Sequence, residues 1–226
     1  MKKEMSCHSG PCDHSLGHDP QGHTDTTKKR HIVTDSYSLN QYQDAPLERG
    51  DVLRFQLLAK YAYGSVLDVG CGTGDMANYM SDVVQEYVGL DTGGLIQVHG
   101  SLYQLPIKDS AFDTVILSEV LEHLEHPIYA LKEIARVSKE RILISVPNPW
   151  NMNQILSLIF QNHNIIEKKH ISLFGDNEIS VLCERAGINI IKKERFYLPI
   201  PRTQRYIPIR SRFGVWNIYV CNKKSS

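Results

Sequence analysis

Apolar residues along this chain come in two alternating patterns, short continuous runs and longer stretches with helical spacing. Val66, Leu67 and Val69 form a short run of the kind a central parallel strand uses when both its faces are covered. Further runs lie at Tyr87 to Leu90, Thr114 to Leu117, Arg141 to Val146, Ile188 to Lys192 and Val215 to Cys221. Helical patterns fill the intervals. One spans Pro46 to Ala59, with Leu47, Leu53, Phe55, Leu57 and Leu58 on its apolar face and Pro46 suited to a first turn. Others are predicted from Thr73 to about Val83, over Pro127 to Val137, and over Asp176 to Ala186 with Gly187 as its cap. Strands alternating with helices argue for an α/β fold.

Two segments break the alternation. Asp91 to Leu102 is too short for a helix and a strand, so Gly93-Gly94 reads as a turn and Leu95 to His99 as a brief strand. Asn151 to Phe174 is an insertion whose Ile155, Leu156, Leu158, Ile159 and Phe160 make a strongly apolar helix. It belongs above the carboxyl ends of the strands, where ligands bind in such sheets, and is a candidate lid covering about 150–174.

Residues 1–36 lack the apolar content to bury a core and read as a disordered tail, leaving 37–226 as the structured domain. Within the tail, Cys7, His8, Cys12, His14, His18 and His23 are clustered. Cys and neutral His are usual zinc ligands, so metal binding at Cys7, His8, Cys12 and His14 is the alternative, although the spacing fits no standard zinc module.

The chain has 226 residues, enough for one well-buried domain with a short appendage. Lys and Arg total 25 against 25 Asp and Glu, so no global field argues for nucleic acid. Charge is nevertheless segregated. From Arg195 to the C-terminus there are seven basic residues and no acid, which marks that strip as a contact for something anionic. No apolar run approaches the roughly 20 residues that cross a bilayer, and no signal-peptide core is present, so a soluble cytoplasmic protein is predicted. The five scattered cysteines do not suggest structural disulfides. Oligomeric state is not legible.

The strand at Val66 runs into VGCGTGD, where Gly70, Gly72 and Gly74 allow positive φ and a close approach of the backbone to a ligand. Glycines alone could equally bind a dinucleotide or turn the chain. Asp68 lies in the strand itself, where a pyrophosphate gains nothing from negative charge and a cationic ligand does. Asp91 ends the second strand, 17 residues after Gly74, a place from which a carboxylate accepts hydrogen bonds from both ribose hydroxyls. Then follow LPIKDSAFDTVIL, from Leu105 to Leu117, and Ser118-Glu119-Val120-Leu121-Glu122-His123.

On these four motifs, in this order, the chain resembles the class I S-adenosylmethionine-dependent methyltransferases, of the type 11-like group, over roughly Leu53 to Cys221. The resemblance implies a Rossmann-like, doubly wound sheet of seven strands, mostly parallel with an antiparallel last strand. It implies that Asp68, Gly70, Cys71, Gly72 and Gly74 line the methionine part of the cofactor and that Asp91 holds the ribose. Ser101 and Leu102 would face the adenine, and Ser118 and Glu119 would sit where the methyl group points. Relatives commonly carry an acid at the position of Ser101, so adenine binding departs from the pattern here.

The sulfonium is already a strong electrophile, so in-line approach matters more than covalent help, and a base is needed only for a protonated nucleophile. His126 and His170 are the candidate bases; Tyr37, Phe160, His170 and Arg205 are candidate acceptor contacts. The acceptor expected is a small molecule, partly apolar and anionic, and peripheral membrane contact stays open. A Rossmann oxidoreductase, a binding protein that has lost turnover, and a protein or nucleic-acid methyltransferase are the competing readings. Nucleic acid is disfavoured because no Asn/Asp-Pro-Pro-Tyr/Phe segment follows the fourth strand.

Overall fold

The computed structural model describes residues 49–92, 98–152, 155–156, 171–195, 197–200 and 205–224. The chain divides into two units, Met1–Val33 and Thr34–Ser226. The first lies wholly outside the described residues, as do Tyr37, Phe160 and His170; the metal expectation for Cys7, His8, Cys12 and His14 falls there too.

Seven strands form one sheet: β1 (Ser65–Val69), β2 (Glu86–Asp91), β3 (Val98–His99), β4 (Phe112–Ser118), β5 (Ser138–Pro147), β6 (Ile188–Glu194) and β9 (Trp216–Lys223). Two further short strands, β7 (Leu198–Pro199) and β8 (Tyr206–Ile207), pair with each other in the connection before β9. The sheet order is β3-β2-β1-β4-β5-β9-β6. Strand β9 runs antiparallel to both neighbours, and the remaining ladders are parallel. This is the doubly wound architecture the resemblance implies.

Central strands bury nearly every side chain because helices cover both faces. Helices α1 (Arg49–Ala59) and α2 (Ala77–Met80) close one face, where Phe55, Leu58 and Met80 meet Val66, Ile116, Leu143, Ile218 and Val220. Helices α3 (Pro127–Val137) and α4 (Asp176–Arg185) close the other, where Leu131, Ile134, Ile179 and Cys183 meet Leu67, Val115, Leu117, Ile142, Ile144 and Tyr219. Each fully buried aliphatic contributes roughly 1.5–3 kcal/mol relative to exposure.

Helix α3 occupies the bounds its pattern predicts. Pro127 supplies a fixed φ at its start, and Ala130, Leu131, Ile134, Ala135 and Val137 make one buried face. Gly187, at φ 74°, stops α4 by a left-handed residue that costs glycine little. Helix α2 differs from expectation: one turn in place of Thr73 to Val83. Positive φ at Gly72 and Gly74 delays its start, and the chain must already be returning at Gln85, whose N–H bonds Gly64 O at 2.9 Å to open β2. Of the predicted strand at Leu95 to His99, only Val98–His99 lies within the described residues, paired to the end of β2. Of the expected lid helix, Met152, Ile155 and Leu156 are described as helical.

Among the described residues, no helix is long and apolar enough to cross a membrane, and no three His, Cys, Asp or Glu side chains group as a metal site.

Candidate active site

Strand order reverses between β1 and β4, so the connections leaving their carboxyl ends run to opposite sides and leave a crevice. A cavity of about 270 Å³ lies there, close to the lower end of small-molecule sites. Strand β1 contributes Asp68, and the turn after it contributes Gly70, Cys71, Gly72 and Thr73. Ser118 and Glu119 come from the end of β4, and α1 closes the rim with Asp51, Arg54 and Phe55.

The two glycines of the turn do different things. At Gly70, φ 79°, an added Cβ would meet Val120 Cγ2 at 2.5 Å, so this glycine is required by packing. At Gly72, φ 56°, a Cβ would meet nothing within 4 Å. The second glycine leaves open a space that faces the cavity.

Asp91 is tied to that same turn. Its Oδ2 accepts the Gly72 N–H at 2.8 Å and its Oδ1 accepts the Thr92 N–H at 2.6 Å. Oδ1 also accepts the Thr92 hydroxyl at a long 3.4 Å, while Oδ2 keeps a further lone pair for another donor. Asp68 is 1% exposed and accepts the Tyr87 hydroxyl at 2.5 Å. Burial raises its carboxyl from the usual range to about 6, against the opposing pull of Tyr87 and Arg54. Burial also pushes the Cys71 thiol up to about 12, with Asp68 and Asp91 adding to the effect, so this cysteine is no thiolate at neutral pH.

Glu119 turns the chain out of β4 at φ 56°, a left-handed conformation that a glutamate holds only when its surroundings enforce it. Its N–H bonds Ser145 O at 3.0 Å, and its Oε1 accepts the Ser145 hydroxyl at 3.0 Å. Burial, reinforced by the nearby Glu122, lifts its carboxyl to about 8 despite Arg54.

Arg54 is the residue the linear pattern misses. It sits within the apolar stretch of α1, pairs with Asp51 at 2.8 Å, and lies 3.8 Å from Glu119. Its guanidinium stacks over Phe55 and Trp216 at 5.3 and 5.6 Å. Its Nε is buried with no hydrogen-bond partner among the described residues. An arginine inside an apolar helical face was the available signal, but the packing direction of α1 was needed to read it.

Asp91 borders this turn without lining the cavity, and several other expected site residues do not line it either. Ser101 is exposed, its hydroxyl accepting the Tyr103 N–H at 3.2 Å, while Leu102 packs against the core; neither lines this cavity. His126 is exposed at the start of α3, its ring centroid 6.4 Å from Tyr103 and 6.0 Å from Tyr129, away from the cavity. Arg205 is exposed beside β8, and its carbonyl accepts the Ile200 N–H at 3.0 Å. Gly74 turns the chain just beyond the cavity wall, at φ 77°.

Comparison with known proteins agrees with this architecture. A probable S-adenosylmethionine-dependent methyltransferase of Mycolicibacterium smegmatis is 32% identical over 114 residues, 44% of this chain and 44% of that protein. The chain thus spans less than half the length of that relative. The demethylmenaquinone methyltransferase of Bacillus licheniformis is 25% identical over 170 residues, 58% of this chain and 73% of that protein. A solved structure from Thermotoga maritima, a SAM-dependent methyltransferase described as a possible histamine N-methyltransferase, superposes with a TM-score of 0.59. It is 18% identical, covers 77% of this chain and 96% of its own, and so speaks for the fold alone. The family profile described as methyltransferase domain matches residues 41–193, most of the sheet and its helices. With that span and the crevice geometry together, the chain belongs to the methyltransferase-domain family.

Proposed function

We propose that this protein transfers the methyl group of S-adenosylmethionine to a small-molecule acceptor. The observation that carries the reading is the charge of the crevice: its lining holds four acidic side chains, Asp51, Asp68, Asp75 and Glu119, against one guanidinium, Arg54, and Glu119, lifted to about 8 by burial, gains its charge when a cation lies beside it. A dinucleotide pyrophosphate would be repelled by such a wall. A cofactor bearing a sulfonium, an ammonium and a single carboxylate is its complement.

The residues fit that cofactor part by part. Gly72 leaves room for close approach, and Asp91 offers two ribose hydroxyls the free lone pair of Oδ2 and, by exchange for the long Thr92 hydroxyl contact, one on Oδ1. The unsatisfied Arg54 Nε suits the cofactor carboxylate, because a buried donor gains most from a charged acceptor. Asp68 and Glu119 offset the cationic centres. When bound, the sulfonium supplies the methyl group, the acceptor lone pair forming the new bond as the sulfur–methyl bond breaks to a thioether. Glu119, held at the strand end by Ser145 and lifted to about 8 by burial, takes the proton of an acidic acceptor at Oε2, the oxygen on the side of Arg54, once the cationic cofactor beside it favours its ionised form. The similarity to a demethylmenaquinone methyltransferase supports a small-molecule acceptor.

Calorimetry tests the cofactor assignment. Asp91→Ala is expected to cost roughly 2–4 kcal/mol of S-adenosylmethionine binding through two charge-assisted bonds, while wild type ignores NAD. Unchanged affinity in the variant, or preference for NAD, would remove the assignment.

A further inference from the structure

At the same end of the sheet, beside edge strand β6, lies a second cavity of about 360 Å³ with the opposite charge. It is lined by Lys193, Arg195, Arg210, Arg212, Ser211 and Asp176. Four cations thus face one carboxylate. Arg195 is paired with Asp176, Lys193 lies 3.8 Å from the same carboxylate, and Arg210 bonds Glu194 at 2.6 Å. Arg212 makes no ion pair among the described residues, its guanidinium 5.4 Å from the Phe213 ring. Counting Glu194 with Asp176, and with Glu194 its second partner Lys192 at 2.7 Å, two carboxylates face five cations, and a charge of about +3 is left over. Like charges gathered in one concavity repel one another, a cost that an anionic occupant with several acceptor oxygens removes.

The place of this cavity is set by the fold. The row Leu117, Ile144, Tyr219, Lys193 crosses the sheet from β4 to β6, so the basic cavity is displaced from the crevice by three strand spacings along the sheet, about 14 Å, and its Lys193 lies on the face that α4 covers. Asn148, buried at the end of β5, holds the rim in register. Its side-chain amide donates to Arg212 O at 2.9 Å and to Gly214 O at 2.7 Å. Both cavities therefore open at the carboxyl ends of the strands, with the connection bearing Arg212 fastened between them.

We propose that this basic cavity holds a phosphate group of the methyl acceptor, placing the acceptor's reacting atom at the acidic crevice, a span of about 14 Å or more. The acceptor is then an elongated phosphorylated small molecule, with a phosphomonoester or diphosphate at one end and the nucleophile at the other. A phosphomonoester carries about −1.5 to −2 at neutral pH, which offsets most of the excess charge of the cavity, and a diphosphate would offset the rest. The volume also exceeds what a bare phosphate ion needs. Arg195, Arg210 and Arg212 present planar donor forks suited to phosphate oxygens, and Lys193 adds a point charge. The proposal rests on the methyl-transfer reading for the acceptor's other end, but the phosphate site can be tested without it.

The test uses inorganic pyrophosphate titrated into the full chain at low ionic strength, followed by calorimetry, with S-adenosylmethionine titrated separately. Wild type is expected to bind pyrophosphate, and Arg212→Ala and Lys193→Ala each to weaken it at least tenfold, in line with loss of a charged hydrogen bond. Affinity for S-adenosylmethionine should stay within twofold in both variants. Absence of pyrophosphate binding, or equal binding by the variants, overturns the site whether or not S-adenosylmethionine binds. Failure of S-adenosylmethionine alone would instead count against the methyl-transfer reading. A second arm follows labelled methyl from S-adenosylmethionine into a small-molecule cell extract, with and without prior alkaline phosphatase treatment. Phosphatase is expected to lower incorporation at least tenfold; unchanged incorporation would show that the phosphate does not belong to the acceptor.

Discussion

Gly70 and Gly72 stand two residues apart in one turn, both with positive φ, and the structure separates their roles. A side chain at Gly70 would strike Val120 at 2.5 Å, whereas one at Gly72 would enter open space over the cavity. Left-handed φ costs an alanine about 1–2 kcal/mol at either place. Overpacking adds about 1–3 kcal/mol at Gly70 only. Gly70→Ala is therefore expected to lower the melting temperature clearly more than Gly72→Ala does. Conversely, Gly72→Ala should weaken S-adenosylmethionine binding beyond what its small stability loss explains. Thermal melts and titrations on both variants check this; equal stabilities would show that the Val120 contact relaxes freely. The pattern of glycines was legible from the sequence, but not the partner that makes one of them structural.

At the scale of elements, the crevice is assembled from pieces far apart in the chain: α1 brings Arg54, β1 brings Asp68, β4 brings Glu119 and β5 brings Ser145. Strand register positions these groups, setting Asp68 beside Ile116 and Ser118 beside Ser145. The connection from β6 to β9 is longer and carries little regular structure, so it needs a fastening. Asn148 supplies it, with two donated hydrogen bonds and a backbone N–H to Val215 O at 3.0 Å. Asn148→Ala would leave two carbonyls without their donors, at a cost of about 2–5 kcal/mol. Denaturant unfolding should register that loss. A variant as stable as wild type would mean that water replaces the amide and that the connection is held elsewhere.

Over the whole molecule, a net charge of zero conceals two opposed surfaces at one end of the sheet. The acidic one has a stability consequence. Asp68, ordinarily near 3.8, is raised to about 6 by burial, so between these values the native state holds a proton that the unfolded chain has released. Stability contributed by the neutral form is present below about pH 4 and is lost as pH rises through 6. The difference is about 3 kcal/mol at most, from roughly two pH units at 1.36 kcal/mol each. Asp68→Asn, which keeps an acceptor for Tyr87, is expected to be more stable than wild type above pH 6 and to converge with it toward pH 4. It should also bind S-adenosylmethionine less tightly, having lost a charge beside the cationic cofactor. Urea midpoints across pH 4–8 decide the point; parallel curves for the two proteins would show that Asp68 ionises without penalty.

Local residue order accounts for the alternation of strands and helices, the bounds of α3, the glycine turn and the acid that ends β2. These are local properties: periodicity, a proline at a first turn, and glycines at positive φ act within a few residues. Tertiary structure decided what no local pattern encodes. It cut α2 to one turn because the chain had to return to β2, and it turned Arg54 into the crevice through the packing of α1. It left Ser101 and His126 outside that crevice. It gathered Lys193, Arg195, Arg210 and Arg212, spread along a strip that reads only as basic, around one cavity. Burial, pairing and the charge of a cavity depend on which strands become neighbours, and that order is a property of the closed sheet rather than of any segment.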